Sequence, residues 1–256
     1  MKAMILAAGE GTRMRPLTLE TPKALLPING VPLIVYTLTW LADHGISEVA
    51  INLHHLGEKI KKIVRDGSQF GMNVTYSKEK TLLGTAGGVK KMSHFFDGPF
   101  VVFYGDNLTD FDLSAMVEFH RRKKALATMA IFQPMDASQV GAVQMDAGEK
   151  ILYLIEKPRI VNDSRKSKIS SFPALVLANA AVYILDPKVL NYIVAGEKTD
   201  FAYNVFPKLI AQEAPVYGYR LEPGAYFIDI GTMKNYKQAI EDVARGKVKI
   251  AIEDGK

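Results

Sequence analysis

Short apolar runs alternate with longer amphipathic segments through the first half of the chain, and that alternation limits the possible architectures more than any other feature. Ala3–Ala7, Val49–Leu53, Asn73–Tyr76, Phe100–Tyr104 and Ala127–Phe132 read as strands. Pro32–Asp43, Leu56–Arg65, Thr85–His94 and Leu113–Lys123 read as helices between them. Strand–helix alternation of this kind indicates an α/β fold with a mostly parallel central sheet flanked by crossover helices. Helix ends carry their own signals, with Asp112 placed to cap Leu113 and Gly45 to stop the helix after His44.

The second half has a different rhythm and predicts antiparallel additions to the sheet. Val140–Met145 and Ile151–Ile155 flank the turn residues Asp146-Ala147-Gly148 and read as a hairpin. A further strand spans Ala174–Leu185, with helices near Lys188–Val194 and Tyr203–Glu213. Strands at Val216–Arg220 and Tyr226–Ile230 lead to a closing helix, Lys234–Arg245. The polar, lysine-rich segment Arg159–Ser171 reads as a mobile loop or lid. Residues 1–245 therefore form one domain and 246–256 a tail.

Composition narrows the function classes. Hydrophobic residues make up 48% of the 256 positions, enough for a sizeable core. No apolar run approaches the roughly 20 residues of a bilayer span, and the N-terminal run ends too early, at Gly9, for a signal peptide. The chain contains no cysteine, which excludes disulfides, thiolate metal sites and cysteine nucleophiles and suits a cytoplasmic enzyme. The formal net charge of +5 fits anionic partners. The longest basic run, Arg121–Lys124, falls late in a helix, where it complements the dipole, and no aromatics interleave it as a nucleic-acid surface would require.

The strongest chemical signal follows the first strand directly: Leu6-Ala7-Ala8-Gly9-Glu10-Gly11-Thr12-Arg13-Met14-Arg15. Ligands of open α/β sheets bind at the carboxyl ends of strands, and glycines there let backbone N–H groups approach phosphates. The turn lacks the third glycine of a dinucleotide fingerprint and the Gly-Lys-Ser/Thr ending of a P-loop. An arginine stands in its place, able to grip phosphate in a bidentate fashion.

With Pro22-Lys23-Ala24-Leu25-Leu26-Pro27 downstream, the chain resembles the sugar-1-phosphate nucleotidyltransferases, also called nucleotide-sugar pyrophosphorylases. The resemblance continues through Leu83-Gly84-Thr85-Ala86-Gly87-Gly88, Tyr104-Gly105-Asp106-Asn107, Glu156-Lys157-Pro158, Asn179-Ala180-Ala181-Val182-Tyr183 and Phe227-Ile228-Asp229-Ile230-Gly231-Thr232. It implies the Rossmann-like nucleotide-diphospho-sugar transferase fold, and Mg²⁺-assisted transfer of a nucleoside monophosphate from an NTP to a sugar-1-phosphate, with release of pyrophosphate. Many relatives carry a C-terminal β-helix domain, and none is expected in a chain ending at Lys256.

The roles that the resemblance implies are physically reasonable. Two phosphate-bearing anions must meet, so the barrier is largely repulsion and positioning. Arg13 would hold the triphosphate and Lys23 would bridge toward the α-phosphate. Leu6, Ala8, Gly9, Gly11, Thr12, Gly84 and Thr85 would bind the nucleotide. Asp106 and Asp229, each at the end of an apolar strand, would hold Mg²⁺. Glu156, Gly105 and Asn179 would contact the sugar phosphate, and Lys157 would grip its phosphate. Because that phosphate is already an anionic nucleophile, no catalytic base is needed, and all five histidines read as structural or surface residues.

Glu79 falls where family members place a residue facing the base edge. A carboxylate there could accept two N–H bonds from guanine, which favours GTP with mannose-1-phosphate. UTP or dTTP with glucose-1-phosphate, cytidylyl transfer to phosphocholine, and a non-catalytic nucleotide-sugar-binding subunit are the alternatives, and a homodimer is compatible with all of them. Three positions depart from the usual pattern: Ala181 for glycine, Phe227 for tryptophan and Met233 for proline.

Overall fold

The computed structural model describes residues 1–134, 141–155 and 177–252. Glu156, Lys157, the segment 159–171, residue 140, residues 174–176 and the last four residues of the tail lie outside that description.

In chain order the strands are β1 (Lys2–Leu6), β2 (Pro27–Ile28), β3 (Val31–Pro32), β4 (Glu48–Leu53), β5 (Asn73–Lys78), β6 (Phe100–Tyr104), β7 (Asn107–Thr109), β8 (Ala127–Phe132), β9 (Ala142–Met145), β10 (Ile151–Ile155), β11 (Ala178–Leu185), β12 (Val216–Arg220) and β13 (Phe227–Asp229). The α-helices are α1 (Leu17–Glu20), α2 (Leu33–Asp43), α3 (Gly57–Val64), α4 (Gly84–Lys91), α5 (Leu113–Lys123), α6 (Phe206–Ala211) and α7 (Met233–Ala244). Seven strands form one sheet in the order β12-β8-β11-β6-β1-β4-β5. Its centre, β6-β1-β4-β5, is parallel throughout, as the strand–helix alternation predicts.

The antiparallel additions arise differently from the expectation. β11 runs antiparallel between β6 and β8 and is the reversed strand of the main sheet. The predicted hairpin β9–β10 forms, but as a separate two-stranded sheet. Its turn is set by Asp146, whose Oδ1 accepts from the N–H groups of Gly148 and Lys150 at 2.8 and 2.9 Å. The segment expected as a strand at Tyr226–Ile230 pairs as β13 with β7 rather than with the main sheet.

Period-two alternation decides which side of the sheet each residue covers. In β1, Ala3 and Ile5 pack with Trp40, Leu41, Val49 and Ile51 on one side. Met4, pointing the other way, packs with Ala50, Val102, Ala86 and Val89. Both faces are buried, so the central strands read as continuous apolar runs. On the first face Trp40 of α2 donates from Nε1 to the Phe111 carbonyl at 2.9 Å. Asp112 caps α5 as expected, its Oδ1 accepting from Ala115 N–H at 2.9 Å, and Arg121–Lys123 occupy the last turn. Two predicted helices are modified: Lys188–Val194 is a 3₁₀ segment at Pro187–Tyr192, and Tyr203–Glu213 begins as a π turn at Phe201–Val205 before α6.

Among the described residues, no helix is long and apolar enough to cross a membrane.

Candidate active site

After β1 the chain runs through β4 and β5 on one side, then returns to place β6 on the other. The crevice at the carboxyl ends of β1 and β6 is thus a point where connections diverge, the favoured ligand position in such sheets. Leu6 lies opposite Tyr104, and Gly105 N–H donates to the Leu6 carbonyl at 3.0 Å. The glycine turn and Asp106 therefore emerge side by side.

Two cavities open there. One, of ≈ 280 Å³, is lined by Leu6, Ala8, Gly9 and Gly11 from the turn, by Lys23, by Glu79, Gly84 and Thr85, and by Gly105 and Asp106. The other, of ≈ 780 Å³, is lined by Thr12, Arg13, Thr85, Asp106, Asn179, Ala181 and Asp229. Every described residue expected at the site lines at least one of them. Asp106, Thr85, Tyr104 and Asp200 line both, so Asp106 stands where the two meet. The expected contributors Glu156 and Lys157 lie outside the described residues.

The β7–β13 ribbon brings the acidic pair together. Asp229 is registered opposite Asn107, and Ile230 N–H donates to the Asp106 carbonyl at 3.0 Å. Lys23, in a 3₁₀ turn at Lys23–Leu25, holds Asp106 Oδ2 at 2.6 Å. Arg13, in a 3₁₀ turn at Thr12–Met14, lies beside Asp229 across Gly231. A Cβ at Gly231 would stand 2.7 Å from Asp229 Oδ1 and 2.9 Å from an Arg13 nitrogen, so a side chain there would displace one or both. Burial first, then the neighbouring Asp106, pushes the Asp229 carboxyl up to about 6. Lys23, the Gly231 N–H at 2.6 Å and Arg13 act in the opposite direction. Two carboxylates and two cations thus share one junction.

Residues 2–246 match the nucleotidyl transferase family across nearly the whole chain. This chain belongs to that family. It is 38% identical over 264 residues to a Synechocystis protein named UTP–glucose-1-phosphate uridylyltransferase, covering 97% of this chain and 65% of the relative. It is 30% identical over 246 residues to a Mycobacterium tuberculosis protein named mannose-1-phosphate guanylyltransferase, covering 95% of this chain and 65% of that one. The chain thus spans 65% of the length of these two relatives. In structure it superposes on HddC of Yersinia pseudotuberculosis with a TM-score of 0.78, over 94% of this chain and 99% of that one. The identity there is 22%, and the likeness is one of fold.

In this member of the family one expected site residue also serves the fold. Glu79 lines the smaller cavity but is only 3% exposed, and both its carboxylate oxygens accept internal hydrogen bonds. Oε1 takes Asn52 Nδ2 at 2.7 Å and Oε2 takes Leu83 N–H at 2.9 Å. Burial and two internal donors therefore fix this carboxylate in the cavity wall, and each oxygen retains a further lone pair.

Sequence reasoning did not single out Asn52 or Asp200. Asp200 Oδ1 accepts from Thr85 Oγ1 at 2.8 Å, while Thr85 Oγ1 accepts from Phe201 N–H at 3.0 Å, tying the start of α4 to a distant loop. The only available signal for Asn52 was a polar residue inside the apolar run Val49–Leu53. No histidine lines either cavity among the described residues. His120 sits against Thr128 Oγ1 at 2.8 Å, with burial lowering its pKa to about 4, and His54 Nδ1 lies 2.9 Å from the Glu79 carbonyl.

The acidic pair fits a hard divalent cation. Mg²⁺ takes one or two protein carboxylates and completes its shell with phosphate oxygens and water. Asp106 is close enough for its charge to help raise the Asp229 pKa, and no third acidic or histidine ligand joins them among the described residues.

Proposed function

We propose that the chain transfers a nucleoside monophosphate from an NTP to a sugar-1-phosphate. The observation that carries this reading is Asp106 at the junction of two cavities, with Asp229, Arg13 and Lys23 gathered around it. The smaller cavity, floored by the glycine turn, is the nucleotide side, and the larger is the acceptor side. Asp106 and Asp229 would hold Mg²⁺, which supplies charge neutralisation and polarisation of the α-phosphorus.

In the reaction, a phosphate oxygen of the sugar-1-phosphate forms a bond to the α-phosphorus. The bond from that phosphorus to the bridging oxygen breaks, and pyrophosphate leaves with the electron pair. No proton need be removed from the nucleophile. Lys23 neutralises charge beside Asp106, where the α-phosphate would lie. Arg13 offers a fork of donors to the departing phosphates. Thr12 and the turn amides complete the cradle, and Asn179 faces the acceptor side. Family resemblance assigns Lys157 to the acceptor phosphate and Glu156 to its hydroxyls.

For the base and the sugar we favour UTP and glucose-1-phosphate. The relative so named is 38% identical over 97% of the chain, and the Glu79 carboxylate that favoured guanine already holds internal donors. Guanylyl transfer to mannose-1-phosphate, the name of the 30% identical relative, is the second reading.

Pyrophosphate release measured with Mg²⁺ over a matrix of UTP, dTTP, GTP and CTP against glucose-1-phosphate and mannose-1-phosphate tests both levels. The expected maximum is UTP with glucose-1-phosphate. A maximum at GTP would replace the base, and no release from any pair would remove the enzymatic reading.

A further inference from the structure

We propose that Asn52 and Glu79 form a positioning pair that sets the width of the nucleotide cavity by tying its two walls together. This deepens the reading above and rests on it. One wall begins at Ala7, where β1 gives way to the glycine turn. The other begins at Leu83, the residue before α4. A single buried chain of hydrogen bonds joins them. Ala7 N–H donates to Asn52 Oδ1 at 2.8 Å, Asn52 Nδ2 donates to Glu79 Oε1 at 2.7 Å, and Leu83 N–H donates to Glu79 Oε2 at 2.9 Å.

Three further observations show that the pair is built in rather than incidental. Asn52 and Glu79 are each 3% exposed, so their bonds do not compete with bulk water. Glu79 is also fixed by its backbone, its N–H donating to the Leu53 carbonyl at 2.7 Å. Above the pair lies Gly88 of α4, where a Cβ would stand 2.7 Å from Glu79 Oε1 and 2.8 Å from Asn52 Nδ2. The helix can lie down on the pair only because no side chain intervenes.

The two ends of the chain are fixed by the backbone. Two backbone N–H groups, at Ala7 and Leu83, point inward from the walls, and a buried donor must find an acceptor. An amide and a carboxylate in that order satisfy both walls and each other. The reverse order would do so equally well. With Asn52→Asp, the new carboxylate would accept from Ala7 N–H and from the amide nitrogen that Glu79→Gln supplies. The oxygen of that same amide would then accept from Leu83 N–H. Either single exchange fails: Glu79→Gln alone turns an amide nitrogen toward another donor, and Asn52→Asp alone sets two carboxylates together.

That swap is the test. Glu79→Gln and Asn52→Asp are each expected to raise the KM for UTP about tenfold or more. The KM for glucose-1-phosphate and kcat should stay within about threefold, because neither residue is placed against the reacting phosphates. The double variant Glu79→Gln/Asn52→Asp is expected to bring the UTP KM back to within about threefold of the parent. Single variants with unchanged UTP KM, or a double variant no better than the singles in folding or in KM, would overturn the proposal. Should a single variant fail to fold, Gly88→Ala serves in its place: its methyl displaces the pair without changing charge, and an unaltered UTP KM would count against the proposal in the same way. Calorimetric binding of Mg²⁺–UTP without acceptor reads the same cycle. It separates failure of the pair from failure of the enzymatic reading, which would show as no pyrophosphate release by the parent chain.

Discussion

Arg13 and Asp229 flank Gly231, which leaves the space between them empty, and Lys23 reaches Asp106 from the other side. The arrangement asks for a planar fork at Arg13, not merely a positive charge. Arg13→Lys keeps the charge and loses the paired donors, so turnover is expected to fall by about one to two orders of magnitude with the fold unchanged by circular dichroism. Retention of the parent rate would assign Arg13 to screening alone. Ala181 poses a different question. It stands in β11 with φ +53°, at the irregularity between Asn179 and Tyr183, and lines the larger cavity. A methyl-bearing residue in the left-handed region carries strain of about 1–2 kcal/mol, part of which glycine returns as added freedom of the unfolded chain. Ala181→Gly is therefore expected to raise stability by about 0.5–1 kcal/mol in chemical denaturation; a loss of stability would mean the methyl makes packing contacts worth more than the strain. At this scale the sequence was most informative about charged residues in motif blocks and least about who faces whom. Glu79 could be placed in the cavity from its position before Gly84, but its partners could not, because Asn52 is a lone polar residue in an apolar strand.

Among the elements, the parallel core was legible because apolar strands and amphipathic helices have different periods and ordinary lengths. The β7–β13 ribbon was not. Strands of three residues are too short to show alternation, and the pairing that carries Asp229 to Asp106 is between segments far apart in the chain. The extended character of Tyr226–Ile230 was visible in the sequence, while its partner was not. The reversed strand β11 was likewise readable as a strand but not as the one that runs against β6 and β8. The packing of α5 on β8 yields a prediction about pH. His120 is buried against Thr128, and burial lowers its pKa from 6.5 to about 4. The unfolded chain then binds a proton in a range where the folded chain does not, so this contribution is complete above pH 6.5 and is lost as pH falls toward 4. The size is on the order of 3 kcal/mol. Asp229 acts in the opposite sense over part of that range, since its raised pKa makes the folded chain the better proton binder between about 6 and 3.8. The difference between the parent and His120→Gln isolates the histidine. Denaturation midpoints should fall more steeply for the parent between pH 6.5 and about 4, and parallel curves would show that His120 is free to charge in the folded state.

The molecule as a whole is a sheet whose diverging connections open a crevice, with a smaller cavity and a larger one meeting at Asp106 and Asp200. Fold class and several of the described contributors to the crevice were legible in the sequence because the glycine turn, Asp106, Asn179 and Asp229 sit at strand ends, where the architecture delivers side chains to one place. The division into two cavities was not legible, since Asp200, which lines both, is held to Thr85 by a contact between segments far apart in the chain. Mg²⁺–UTP should stabilise the whole fold by mass action, by about 2.7 kcal/mol at a hundred times its Kd, and removal of the metal with a chelator should reverse most of that gain in a thermal scan. No shift with either UTP or GTP would count against nucleotide binding by the folded chain. The central claim is that Asp106 and Asp229 act on one cation between two phosphate-bearing substrates. Pyrophosphate release by Asp229→Asn, at saturating Mg²⁺ and with the fold verified, tests it most directly. The account predicts a rate lower by about two orders of magnitude or more, and a rate equal to the parent's would contradict it.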